Sequence, residues 1–258
     1  MGSFPASATI PLVMQFRRLA REIDARLVWF CSALLSIDLL FISVHSAHAL
    51  YILSYNDNAV ILGRRWNIER DASYAEIFGY FKTLIVVYLL ISIRLKYRCP
   101  IYLALIAIYT FVLLDDALHV HELLGRGIAY ALALQPFAGL RARDFGELIA
   151  WTIFGVPLLA FTLVAFVRSP PADRANGLLL MAAFALLVVF AVAADMVHVV
   201  MMDTFRGADL LFTVIEEGGE QSTLTLTCVI AVLIRRELRS RQPSQAAERD
   251  FSQSRIRP

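Results

Sequence analysis

Charge and cysteine are scarce in this chain. Asp, Glu, Lys and Arg make up 18% of its 258 residues, against about 25% in an ordinary soluble domain. The net charge of +2 gives no basic surface of the kind nucleic acids require, so no nucleic-acid partner is expected. Three cysteines, Cys31, Cys99 and Cys228, lie in or beside apolar runs without metal-type spacing, which excludes a disulfide framework and a thiolate site. No Ser-His-Asp spacing, redox cysteine pair or phosphate loop is present; the glycines of "GRGIAYALAL" lack the phosphate-loop pattern and a preceding strand. Internal repeats are missing as well. No cleavable signal peptide is expected, because Arg17, Arg18, Arg21 and Arg26 precede the first long apolar run and no small-residue cleavage site follows a short apolar core.

What is abundant is hydrophobic sequence, 59% of the chain. It is gathered into runs near the ~20 residues that cross a hydrocarbon core. The expected fold is an all-α integral membrane protein, a bundle of six transmembrane helices at roughly 27–53, 73–94, 100–123, 145–167, 177–202 and 209–234. Residues 1–26 form an N-terminal segment in which 10–25 reads as an amphipathic helix on the membrane surface. Residues 27–236 form the membrane domain, and 237–258 a disordered tail. Sixteen basic residues lie in the N-terminal segment, the connections at 94–99 and 168–176, and the tail; seven lie in the other three connections. That bias puts both termini in the cytoplasm, in a bacterial inner membrane. Tyr51, Tyr55, Trp66, Tyr80, Phe145 and Trp151 fit an interfacial belt.

The polar residues inside these runs share a depth. At 1.5 Å per residue, His45, Glu76, Asp115, His119, Glu147, His198 and Glu217 stand about 22–36 Å from the basic residues or helix start that mark the opposite face. All five histidines and nine carboxylates (Glu76, Asp115, Asp116, Glu122, Glu147, Asp195, Glu216, Glu217, Glu220) belong to this layer. No lysine or arginine of the spans sits at its height, although Arg126, Arg141, Arg143 and Arg206 in the connections can reach it. Asp38 and Lys82 lie deeper, both about 18 Å from their markers, and are expected to pair.

Charged side chains at such depth need protonation, hydration, arginine partners or a bound cation. Mixed imidazole and carboxylate donors favour zinc, iron or manganese. Carboxylate-bridged di-metal bundles take a carboxylate from each of two helices and a carboxylate-x-x-His pair from two others. Here Asp116–His119 and Asp195–His198 have that spacing, and Glu147 and Glu217 or Glu220 supply the lone carboxylates. The expected ligands are His45, Glu76, Asp115, Asp116, His119, Glu147, Asp195, His198 and Glu217, with Glu122 or Glu220 as proton acceptor. The expected function is a membrane-embedded metal-dependent enzyme, with iron or zinc and room for two ions, that oxidises or hydrolyses a lipid or other amphiphile. Two further readings stay open, a cation or proton transporter and a structural subunit of a membrane complex. The glycine pair in "EEGGE" predicts a helix break or a close helix approach at the site.

Overall fold

The computed structural model describes residues 12–55 and 63–254, with side chains described for 14–55 and 63–241. Every regular element among them is helical: α1 Leu12–Ala20, α2 Ala25–Tyr55, α3 Tyr74–Tyr97, α4 Pro100–Leu118, α5 Val120–Ala131, α6 Ala142–Arg168, α7 Pro171–Val188, a π-helical segment Val189–Ala194, α8 Asp195–Met201 and α9 Ala208–Ser254. A 3-10 turn, Arg64–Trp66, lies between α2 and α3.

The helix starts follow local chemistry. Asp24 Oδ1 accepts the Leu27 amide at 2.8 Å and so caps α2. Ser73 Oγ accepts the Glu76 amide at 3.1 Å, and the Glu76 carboxylate accepts the Ala72 amide in return, a variant of the reciprocal Ser-x-x-Glu cap. α4 opens on Pro100, whose missing N–H costs nothing in a first turn. The free Ile101 amide is taken by Ser169 Oγ at 3.0 Å, from the far end of α6.

Five helical stretches are long and apolar enough to cross a membrane: Ala25–Tyr55, Tyr74–Tyr97, Pro100–Leu118, Ala142–Arg168, and Pro171–Met201, which runs through α7, the π segment and α8. Their outward faces carry large apolar side chains, such as Trp29 (76% exposed), Leu95 (75%) and Val167 (68%). Water would not tolerate so much contiguous apolar surface on a monomer, whereas lipid does. The architecture is that of an all-α membrane protein. α9 is not among the five; its first turns carry Asp209, Glu216, Glu217 and Glu220, and threonines follow.

The interior divides by polarity. Towards the end that holds Arg94, Pro100 and Arg174, a hydrophobic core forms around Leu90, Ile93, Ile101, Tyr102, Leu105, Tyr109, Leu180 and Ile234, all nearly inaccessible. α1 is tied to this end. Gln15 donates to Asn176 Oδ1 at 2.7 Å, Asn176 to the Tyr102 hydroxyl at 3.2 Å, and that hydroxyl to Asp173 at 2.8 Å. Gln15 and Leu19 are thus buried against the bundle, while Met14 and Phe16 on the other face are exposed.

The expected pair at mid-depth is present. Lys82 Nζ lies 2.8 Å from Asp38 Oδ1 and also reaches the Gln221 carbonyl (2.7 Å) and Thr225 Oγ1 (3.4 Å), and Thr225 in turn donates to Asp38 Oδ2 at 2.7 Å. This group joins α2, α3 and α9 immediately beneath the polar end of the bundle.

Two boundaries differ from expectation. The third apolar run does not continue as one helix to 123. His119 adopts a left-handed conformation (φ 49°, ψ 42°), α4 stops at Leu118, and the chain re-forms as α5. Residues 124–131 of the expected 124–144 connection are therefore helix, packed on α6. At its closest point a Cβ on Gly146 would stand 2.0 Å from the Gly125 carbonyl oxygen, an approach only two glycines allow. Secondly, α9 continues past 237, where a disordered tail is expected. Leu238 and Glu237 are buried, and the Tyr97 hydroxyl donates to the Leu238 carbonyl at 2.6 Å, so packing holds the helix there. The expectations for 1–11 and for the side chains of 242–258 lie outside the described residues.

Candidate metal centre

The polar end of the bundle encloses a cavity of about 400 Å³. α3 supplies Glu76 and Tyr80, and the end of α4 supplies Asp116. His119 stands at the α4–α5 junction, followed by His121 and Glu122 on α5. α6 presents Glu147 and Trp151 behind Arg141 and Arg143. α8 adds Asp195, α9 adds Glu216, Glu217 and Glu220, and the segment before α3 adds Glu69, Arg70 and Asp71. Ten carboxylates thus face one space with two imidazoles and three guanidinium groups.

Of the eleven residues the sequence singles out, eight line this cavity: Glu76, Asp116, His119, Glu122, Glu147, Asp195, Glu217 and Glu220. Three do not. Asp115 is 1% exposed and turned toward His121, accepting its amide at 2.9 Å and its ring nitrogen at 2.8 Å. His198 is held between Glu216 (2.7 Å) and Asp209 (3.2 Å), so both ring nitrogens already have carboxylate partners. His45 lies 3.8 Å from Glu69 in a separate cavity, because no α2 residue reaches the acidic one. Asp115 and His198 stand one step removed, in contact with the lining residues His121 and Glu216.

Among the described residues, one group of three offers ligand atoms all within 4.8 Å of one another: Asp71, His119 and Glu122. His119 Nδ1 stands 3.3 Å from Glu122 Oε1. This is not the Asp116–His119 stripe that helical spacing implies. The left-handed turn at His119 takes its ring off the α4 periodicity and swings it toward Glu122 on α5 and Asp71 on the facing loop.

Other lining groups have fixed partners. The Tyr80 hydroxyl donates to Glu76, and Glu76 also serves as the α3 cap. Arg141 pairs with buried Asp144 at 2.8 Å, and Arg143 lies 3.6 Å from the same carboxylate. The two guanidinium groups are thereby partly spent on Asp144, which does not line the cavity. In α5, outside the five long helices, burial pushes the His121 imidazole toward neutrality, but its hydrogen bond to Asp115 and that residue's charge outweigh the burial and hold it above the ordinary histidine value. The π segment precedes Asp195 directly, and such local widening recurs at functional sites because it redirects the next side chain. The glycine pair of α9 gives close approach without a break: a Cβ on Gly219 would lie 2.1 Å from the Phe190 ring of that π segment.

A family model described as a domain of unknown function, DUF8692, matches residues 28–234. The chain belongs to this family. The DUF8692 region contains every residue that lines the acidic cavity, and α1 and the last part of α9 fall outside it. No curated protein and no solved structure matches the chain. Several lining residues escape the sequence argument: Glu69, Arg70 and Asp71 belong to a connection that depth along a helix does not rank, and Tyr80 and Trp151 read as belt aromatics. The Ser73-x-x-Glu76 cap is the one signal that anchors the 69–72 segment over the cavity.

Proposed function

We propose that this protein is a membrane-embedded, divalent-metal-dependent enzyme acting on an amphiphile, with Asp71, His119 and Glu122 forming one cation site. The observation that carries this reading is the ten carboxylates facing a single cavity with only three guanidinium groups, two of them engaged by Asp144. Ionised together, these acids repel strongly, and a divalent cation relieves that repulsion where added hydrophobic packing cannot. Asp116, Glu217 and Glu220 of the same cavity would serve a second ion or proton transfer, with Glu220 the proton acceptor in a hydrolytic or oxidative step. Oxygen and imidazole donors suit zinc or iron. Zinc would supply an activated water and a pair of iron ions oxidative chemistry.

In this reading α9 is the sixth span, its polar face turned inward and its apolar residues from Leu224 onward crossing the remaining depth. Both termini are cytoplasmic, the membrane is a bacterial inner membrane, and the cavity faces outward. An amphiphile would present its head to the cavity from the outer leaflet. Cation transport is the second reading; the well-packed apolar core below the Asp38–Lys82 pair opposes a through-path.

The test is elemental analysis of the purified protein. The wild type is expected to hold stoichiometric divalent metal, with most of it lost in His119→Ala and Glu122→Gln. Metal-free wild type after purification without chelators, or equal metal in the variants, overturns the proposal.

A further inference from the structure

A second cavity, of about 280 Å³, lies between the last turns of α2 and the segment before α3. Its polar lining is basic where that of the first cavity is acidic: Arg64, Arg70, His45, His48 and Asn67, with Trp66 as an apolar wall and no carboxylate among the described residues that line it. Arg70 lines both cavities, so the 64–70 segment is the partition between an acidic and a basic compartment.

Three observations point to an anionic ligand. His48 Nε2 is buried and has no hydrogen-bond partner among the described residues. Such a group carries the full cost of desolvation unless something occupies the space in front of it. Arg64 and Arg70 form no ion pair among the described residues. Asn67 spends its carbonyl oxygen on the Glu69 amide at 3.1 Å, which leaves its NH₂ as a donor. Paired guanidinium groups with added N–H donors match the oxygens of a phosphate. The surroundings match a lipid. The Trp66 ring packs on Phe41 at 6.0 Å and Tyr74 at 5.2 Å, an aromatic cluster of the kind that sits at headgroup level.

We propose that this pocket binds a phosphate group, with Arg64 and Arg70 on its oxygens and His48 and Asn67 donating hydrogen bonds. The site stands independently of the metal centre. A phospholipid and free phosphate share this chemistry, and the experiment separates them.

Full-length protein in a maltoside detergent is titrated with dihexanoylphosphatidic acid, inorganic phosphate or uncharged dihexanoylglycerol, and the thermal-unfolding midpoint is followed. Dihexanoylphosphatidic acid is expected to raise the midpoint saturably, with dihexanoylglycerol inert. A comparable rise with inorganic phosphate assigns the site to the free ion, and a rise with the lipid alone assigns it to a headgroup; both support a phosphate site. Arg64→Gln and Arg70→Gln should each weaken the response at least tenfold. Arg65→Gln, an exposed neighbour outside the pocket, should leave it intact. Should Arg70→Gln fail to fold, Arg64→Gln carries the test, since Arg64 is exposed on a short turn. No shift with either phosphate compound, an equal shift with dihexanoylglycerol, or an unchanged response in Arg64→Gln overturns the proposal.

Discussion

Lys82 is fully buried, and three oxygens surround its Nζ. Removing one charge leaves the other buried and unpaired, so Lys82→Met or Asp38→Asn should destabilise the protein by about 3–5 kcal/mol, while the double variant should lose much less than the sum. Denaturant unfolding in detergent measures this. The pair was legible in the sequence because both residues lie at one depth, between the polar layer and the basic ends of their helices, in stretches that hold no other charge. His45 was not: depth places it in the layer, but depth does not say which neighbour α2 turns toward, and His45 faces Glu69 and the basic pocket. His119 was legible as a candidate and illegible in its partners, since an i,i+3 argument assumes a continuous helix and a left-handed histidine ends one. If His119, Glu122 and Asp71 hold a cation, acidification should release it, because ligand groups must be deprotonated to bind. Metal content after dialysis at about pH 5 should fall below that at pH 7.5, and metal retained equally at both would count against an imidazole–carboxylate site.

At the scale of elements, the cavity depends on the α5–α6 contact. Gly125 and Gly146 let the two helices touch backbone to backbone, and a Cβ on Gly125 would meet Glu147 Cγ at 2.5 Å. Gly146→Ala should therefore force the helices apart, at a cost of about 1–3 kcal/mol, and shift Glu147 within the cavity. Gly127, one turn-face away on α5, has nothing within 4 Å of its would-be Cβ. Gly127→Ala should be neutral or stabilise by up to about 1 kcal/mol through helix propensity. Thermal melts of the two variants followed by circular dichroism distinguish a contact from a composition effect. Equal melts would mean the close approach is not needed. Five of the six expected spans coincide with helices long and apolar enough to cross, because a long apolar run leaves few alternatives. The sequence missed α5, since its polar and small residues carry the composition of a connection and its helical state comes from docking on α6. The "EEGGE" glycines show the converse: propensity predicted either a break or a close approach, and packing against Phe190 selects the approach.

At the scale of the whole molecule, the topology turns on whether α9 crosses. Its 47 residues extend about 70 Å at 1.5 Å per residue, more than twice a hydrocarbon core of about 30 Å. Glu216, Glu217 and Glu220 lie at the cavity, and the basic run Arg235, Arg236, Arg239 and Arg241 begins where the apolar stretch ends. If α9 crosses as a sixth span, that basic run and α1 share one side with Arg94, Lys96 and Arg98, and the cavity with the 63–73 segment lies on the other. Arg236 already bridges to the α1–α2 linker, donating to Asp24 at 2.7 Å and to the Glu22 carbonyl at 3.1 Å, which places the start of α2 and the basic part of α9 at one end. Single cysteines at Arg65 and Gln245, introduced after Cys31→Ser, would report the sides; Cys99 and Cys228 are buried and should stay silent. In intact cells a membrane-impermeant maleimide should label Arg65→Cys, and Gln245→Cys only after permeabilisation. Labelling of both from outside would mean that α9 does not cross, and the acidic cavity would then need another route to its side of the membrane.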